Sequence, residues 1–178
     1  KVKKEIPNVK LIIVGDGDLK EYLNELIIKL NFKHDVFLIG FQKNPYKFFK
    51  MAKLFIMPSL WEGFPMALVE AMICRVPVIA SSTLGICEIL NEEINLSGGI
   101  DDILYTKYGV LVPKCDGRKY SFKDPLTKEE KLLAKAIISL LKNEELQKKY
   151  SKLGHLRAQE FDIQQLGMKY KSLISSLG

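Results

Sequence analysis

The sequence predicts an α/β fold: a parallel β-sheet sandwiched by helices, with further helices at the C-terminus. Three observations predict it. Short β-branched runs alternate with helical stretches, the order expected of strands joined by helical crossovers. The runs are apolar at nearly every position, as strands covered on both faces should be. A content of 47% hydrophobic and 27% charged residues over 178 positions is that of a globular chain able to bury one sizeable core.

The five predicted strands are "KLIIV" (Lys10–Val14), "DVFLI" (Asp35–Ile39), "KLFIM" (Lys53–Met57), "PVIAS" (Pro77–Ser81) and "GVLVP" (Gly109–Pro113). Helices are expected from Asp18, Pro45, Pro65 and about Leu84. Asp18 and Glu21 have the spacing of a capping box, and Asn44-Pro45 sets a cap before a first-turn proline. "NEEINLSGGIDDILYTK" (Asn91–Lys107) breaks the alternation and reads as a surface insertion. After Asp116, "GRKYSFKDPLTKEE" reads as a polar loop. From about Thr127 to Leu177 the chain reads as helical, with breaks near Asn143 and Phe161-Asp162. A single domain over 1–178, with C-terminal helices at 143–178, accounts for the pattern.

Composition narrows the function classes. The net charge is +6, and Arg75, Arg118 and Arg157 are the only arginines among 27 basic residues. That charge fits a lysine-biased solvated surface, or an affinity for phosphates in a nucleotide or an anionic membrane surface. No cluster interleaves arginine with aromatics, so nucleic acid is not an expected partner. Cys74, Cys87 and Cys115 form no CxxC and are odd in number, which fits reduced thiols in a cytoplasmic protein. No apolar run approaches the ~18 residues of a membrane span, and "KVKKEIPNVK" has no signal-peptide core. The absence of an initiator Met points to a fragment or a processed piece.

Several chemistries lack their residues. There is no Ser-centred nucleophile elbow and no His-x-x-x-His pair, and His34 and His155 stand alone as expected surface residues. No GKS or GKT exists, which excludes a P-loop. "VGDGDLKEYL" follows a strand and opens a helix, where a nucleotide phosphate often sits. A dinucleotide fingerprint would need a third glycine near Glu21. Gly15 and Gly17 are therefore either a tight turn or a ligand-facing one. Asp16-x-Asp18 is a possible metal pair, in competition with the capping role of Asp18.

"SLWEGFPMALVEAMICR" (Ser59–Arg75) carries the most chemistry. Pro65 is best placed at the first helical position, since deeper it would clash and remove a bond. The cap then falls near Phe64, which has no side-chain acceptor, so the amides of Met66, Ala67 and Leu68 are expected to be free. Such a helix start suits an oxygen-rich or anionic ligand, and Gly63 permits close approach to the backbone. The helix is apolar except for Glu70. A buried carboxylate needs donors: ligand hydroxyls, a structural lysine, or a stripe that reaches solvent. Eight helical residues span about 12 Å, beyond the roughly 5–9.5 Å of hydrolase carboxylates, so binding roles fit Glu62 and Glu70 better than a glycosidase pair.

"PSLWEGFPMALVEAMICRVPVIAS" resembles the signature of the family 4 (group 1) glycosyltransferases, with Glu62 and Glu70 in a Glu-x7-Glu motif. "LIIVGDGDLKEYL", "VFLIGF", "FFKMAKLFIMPS", "GICEIL" and "YGVLVP" agree with the family in order. The match is close over roughly residues 7–90 and looser from Tyr108 onward. The resemblance implies the C-terminal, donor-binding half of a GT-B fold, a Rossmann-like domain, with the acceptor-binding N-terminal domain absent. It also implies retaining, hexosyl-type transfer from a nucleotide-sugar, UDP-sugar favoured, with no metal or other cofactor.

Carried over by position, Glu62 is the catalytic-site residue holding donor-sugar hydroxyls. The backbone of Gly63, Phe64, Pro65 and Met66 fixes that sugar, and Leu68 and Val69 face the diphosphate. Glu70 binds the ribose, and Gly15, Ile39 and Gly40 lie against the base and nucleotide. The implied acceptor is a surface glycan, a lipopolysaccharide or another lipid-linked glycan. The implied place is the cytoplasm, with peripheral contact at the inner face of the cytoplasmic membrane. The alternative is a catalytically silent sugar-nucleotide-binding module acting through a partner.

The sequence departs from the family at Leu84-Gly85-Ile86-Cys87-Glu88, where Gly-Gly usually precedes the "IPE" element. The family's diphosphate-clamping Arg and Lys lie upstream of this chain. A chain beginning just before "KLIIV" also lacks the first, central strand of a doubly wound sheet. Either the remaining strands close up or another chain fills the gap.

Overall fold

A computed structural model describes residues 1–91, 99–121 and 123–161, and all five predicted strands are present within it. In chain order the elements are α1 (Val2–Glu5), β1 (Leu11–Ile13), α2 (Lys20–Lys29), β2 (Val36–Leu38), α3 (Tyr46–Met51), β3 (Phe55–Met57) and α4 (Met66–Ile73). There follow β4 (Val78–Ser81), α5 (Leu84–Leu90), β5 (Leu104–Tyr105), β6 (Val110–Val112), α6 (Lys128–Leu141) and α7 (Glu144–Gln159). The helical stretch expected beyond Phe161 lies outside the described residues.

The strands form two sheets. β1 and β2 make a parallel pair, and the other sheet has the order β3-β4-β6-β5. β3, β4 and β6 are parallel, whereas β5 is antiparallel to β6, with Leu104 opposite Leu111. The strands have not closed up: β1 and β3 are not partners. β5 corrects the reading of Asn91–Lys107 as a mere insertion. Its two residues are too short to show alternation, and residues 92–98 lie outside the described set.

The core sits on β4 and β6, whose residues are all buried, between α4, α5 and α7 on one side and α6 on the other. Leu68 and Met72 of α4 and Ile86 and Leu90 of α5 are at most 1% exposed. Ile79, Val110, Val112, Ala136, Leu140 and Tyr150 form a second cluster under α6. α6 starts at a reciprocal capping box: Glu130 N–H donates to Thr127 Oγ1 (3.2 Å) and Thr127 N–H donates to Glu130 Oε2 (2.8 Å). The expected break at Asn143 is a cap, its Oδ1 accepting from Leu146 N–H at 2.9 Å.

Three other helix starts differ from expectation. Asp18 does not cap α2: the helix begins at Lys20, Leu19 is its cap residue, and no side chain bonds there. Lys20 N–H instead turns back to the Gly17 carbonyl, which places Asp18 one residue before the cap, out of capping-box register. Pro65 is the cap of α4 rather than its first residue. At α3 the cap is likewise the proline, Pro45, rather than Asn44, although Asn44 Oδ1 accepts from Tyr46 N–H at 3.2 Å.

Burial pushes the Tyr150 phenol up to about 12, from a usual value near 10. The folded state therefore holds this proton more tightly, and stability present below pH 10 is lost as pH rises toward 12. The loss reaches at most about 1.4 kcal/mol per pH unit. Denaturant titrations at a series of alkaline pH values should show a shallower loss for Tyr150→Phe. Equal slopes for the two proteins would refute this assignment.

Candidate functional site

The loop from Pro58 to Pro65 joins the carboxyl end of β3 to α4, the edge at which open parallel sheets place ligands. Glu62 is half-buried on it, and Ser59 Oγ donates to its Oε1 at 2.8 Å, so one carboxylate oxygen is held in place. Gly63 is pinned by α5. A β-carbon added at Gly85 would lie 1.8 Å from the Gly63 carbonyl oxygen and 3.0 Å from that of Glu62, so only glycine lets α5 start here. The departure at Leu84-Gly85 thus retains the glycine that makes the contact.

The start of α4 is less open than its sequence suggests. Met66 N–H donates to the Phe64 carbonyl at 3.0 Å, and Leu68 N–H to the Pro65 carbonyl at 3.0 Å. Val69 N–H also reaches the Pro65 carbonyl, at 3.3 Å. These are short-range turn and first-turn bonds, formed because Pro65, at φ −81° and ψ 79°, folds the chain back before the helix begins. Two of the three amides expected to be free are therefore engaged locally. The α4 start still carries no side-chain cap and no charged residue in its first turn.

Tyr46 of α3 lies near Glu70, whose negative charge, with some burial, raises the Tyr46 pKa. Tyr46 therefore stays a proton donor across the neutral range. Cys74 stands one turn further along α4, where burial raises its pKa against the opposing pull of Lys50. Of the expected explanations for Glu70, the stripe that reaches solvent fits, since the residue is only half-buried.

Gly15 and Ile39-Gly40 are brought together at the carboxyl ends of β1 and β2. Gly15 N–H donates to the Gly40 carbonyl at 2.9 Å and Ile39 N–H to the Ile13 carbonyl at 3.1 Å. Gly15 has φ +128°, a backbone state that L side chains rarely adopt. Asp16 accepts from Gly17 N–H and pairs with Lys20, both at 2.9 Å, and these bonds hold its pKa below the usual carboxylate value. Among the described residues, no group of three or more His, Cys, Asp or Glu is arranged to hold a metal ion. No described helix is long and apolar enough to cross a membrane.

Sequence reading missed the supports. Arg157 of α7 donates from Nε to the Ile89 carbonyl (3.1 Å) and from Nη2 to that of Glu88 (3.0 Å), clasping the end of α5. Its guanidinium lies over the Phe161 ring at 4.9 Å, and Phe161 meets Phe64 edge-on at 5.6 Å. Arg157 thus braces both walls of the Glu62 loop. A lone arginine among lysines was the available signal. His155, expected at the surface, is half-buried with Nδ1 2.9 Å from the Ile73 carbonyl, at the end of α4.

Residues 1–100 match the family described as glycosyl transferases group 1. The chain is also 45% identical over 179 residues to an uncharacterized glycosyltransferase of Methanocaldococcus jannaschii, covering 98% of this chain and 44% of the relative. The chain belongs to the group 1 glycosyltransferase family. A second family relative, an α-N-acetylgalactosaminyltransferase of Campylobacter jejuni named for a diphospho-undecaprenol acceptor, is 28% identical over 87% of this chain and 36% of its own length.

Solved structures agree in fold. Staphylococcus aureus TarM, in a complex with UDP, superposes with a TM-score of 0.73 at 23% identity, over 97% of this chain and 30% of that one. The C-terminal domain of a Francisella tularensis group 1 protein gives 0.65 at 20% identity, over 90% and 73%. The fold is that of a C-terminal GT-B domain. This chain spans less than half the length of the curated relatives described.

Substituting Gly85→Ala should force α5 away from the loop, costing about 1–3 kcal/mol by overpacking and shifting the amide resonances of Glu62 and Gly63. Thermal denaturation together with amide spectra checks this. A variant with unchanged stability and unchanged loop resonances would show that the close contact is not formed.

Proposed function

We propose that this chain is the donor-binding domain of a retaining glycosyltransferase. It would move a sugar from a nucleotide-sugar, UDP-sugar by preference, to a surface glycan or lipid-linked acceptor. The observation that carries the proposal is the Glu62–Gly63 loop pinned against α5 at the uncapped start of α4, with Glu70 half-buried one turn inside. The UDP in the TarM complex and the lipid-linked acceptor named for the Campylobacter relative support the donor and acceptor classes.

In this reading Glu62 accepts hydroxyls of the donor sugar while Ser59 holds its other valence. The backbone from Gly63 to Met66 orients the sugar. The positive end of α4, around Leu68 and Val69, faces the diphosphate and stabilises the charge that develops as it departs. Glu70 accepts the ribose hydroxyls, for which a carboxylate has about four acceptor sites. Gly15, Ile39 and Gly40 form the wall beside the base. Positioning of donor and acceptor, without a covalent nucleophile or a metal, makes the same-face displacement. A lipid-linked acceptor places the work at the cytoplasmic membrane surface, where a net charge of +6 favours anionic headgroups.

Titration calorimetry on the full-length enzyme tests the roles. Glu70→Ala should weaken free UDP about 10–100-fold, the loss of charge-assisted hydrogen bonds, whereas Glu62→Ala should weaken the sugar conjugate and spare UDP. If both variants bind like the parent, the site assignment is wrong. Turnover should survive a chelator. The 178-residue chain alone should bind donor weakly and transfer nothing detectable, and robust turnover by it would contradict the proposal.

A further inference from the structure

β3, β4 and β6 are parallel, so the chain that leaves β6 emerges at the same edge of the sheet as the Glu62 loop. Residues 113–121 of that chain are anchored twice. Gly117 lies against the side chain of Leu60, two residues before Glu62. Its φ is +76°, and an added β-carbon would stand 2.6 Å from Leu60 Cδ1. The second anchor is Tyr22 of α2. Its hydroxyl donates to the Tyr120 carbonyl at 3.1 Å, and the Lys119 ammonium lies 5.5 Å from the centre of its ring.

The two anchors belong to opposite ends of the proposed donor site. Leu60 is on the loop that holds the sugar, and α2 opens just after the Gly15 turn that walls the base. A nucleotide-sugar laid between them has its diphosphate in the middle. In chain order, Arg118 stands between the anchors. Asp116 holds the turn there: Oδ1 accepts from Arg118 N–H at 3.0 Å and Oδ2 from Tyr120 O–H at 2.5 Å. The Arg118 side chain is 79% exposed, and its Nε comes only within 3.7 Å of Asp116 Oδ2, longer than a hydrogen bond. Its fork of donors is thus kept for a ligand. The other arginines are placed elsewhere: Arg157 clasps α5, and Arg75 follows the far end of α4.

We infer that residues 113–121 form a strap across the donor edge and that Arg118 on it contacts the diphosphate of the bound nucleotide-sugar. The inference rests on the donor-site reading of Glu62 and Glu70, and adds a residue to which the family resemblance gives no role. A guanidinium engages two phosphate oxygens at once, which suits it to a leaving group whose negative charge grows as the sugar departs. Because the strap is tied to both walls, the cation is in place before the ligand arrives.

Calorimetry on the full-length protein with UDP, GDP and ADP tests the contact, the tightest of the three being taken to the variants. Arg118→Gln should weaken that diphosphate about 10-fold, the loss of a charge-assisted contact. Arg118→Lys, which keeps a point charge, should recover part of the loss. Added salt should cost the parent more affinity than it costs Arg118→Gln. If Glu70→Ala weakens the nucleotide and Arg118→Gln does not, the inference is overturned while the donor site stands. If neither variant weakens it, both fall. A loss that lysine does not recover, with the salt dependence unchanged, would make Arg118 a brace of the strap and would also overturn the inference.

Discussion

The approach of Gly85 to the Gly63 carbonyl, too close for any β-carbon, is the constraint on which the candidate site depends. It sets the start of α5 flush against the loop that carries Glu62. The other end of α5 is clasped by Arg157, which also supports Phe161 and through it Phe64. One helix and one arginine therefore hold both walls of a loop that has few bonds of its own. Within that frame the Ser59 bond to Glu62 needs to fix only a single side chain. Preorganisation of this kind lets a loop present a carboxylate at little ordering cost when a ligand arrives.

The carboxylate inside α4 has a related logic. Leu68, Val69, Ala71 and Met72 are buried against the core, and Glu70 lies between them on the half-buried side of the helix. A fully buried charge there would be costly, and the open side of Glu70 leaves its carboxylate hydrated, negative and able to accept hydrogen bonds.

Much of this was legible in the sequence. The five strands and the starts of α3, α4 and α5 could be placed because apolar runs, prolines and Asn44 act locally. The Glu62 and Glu70 pair could be singled out because a carboxylate in an apolar helix asks for a partner. What stayed hidden depends on long-range geometry. Nothing local distinguishes Gly85 as a contact for Gly63, or Arg157 as the clasp on α5. The two residues of β5 are too few to show a period, and the Asp18 capping box failed because the Gly17 turn shifted the helix start. The doubly wound strand order left two alternatives, strands that close up or a gap filled by another chain, and the separation of β1 from β3 is at odds with the first.

The proposed donor site is tested most directly by amide chemical shifts of isotope-labelled full-length protein titrated with a UDP-sugar. Saturable shifts should concentrate at Gly63, Phe64 and Met66, at Gly15 and Gly40, and at Glu70. Saturable binding that leaves Gly63 and Glu70 unmoved, with its shifts gathered elsewhere, would contradict the assignment.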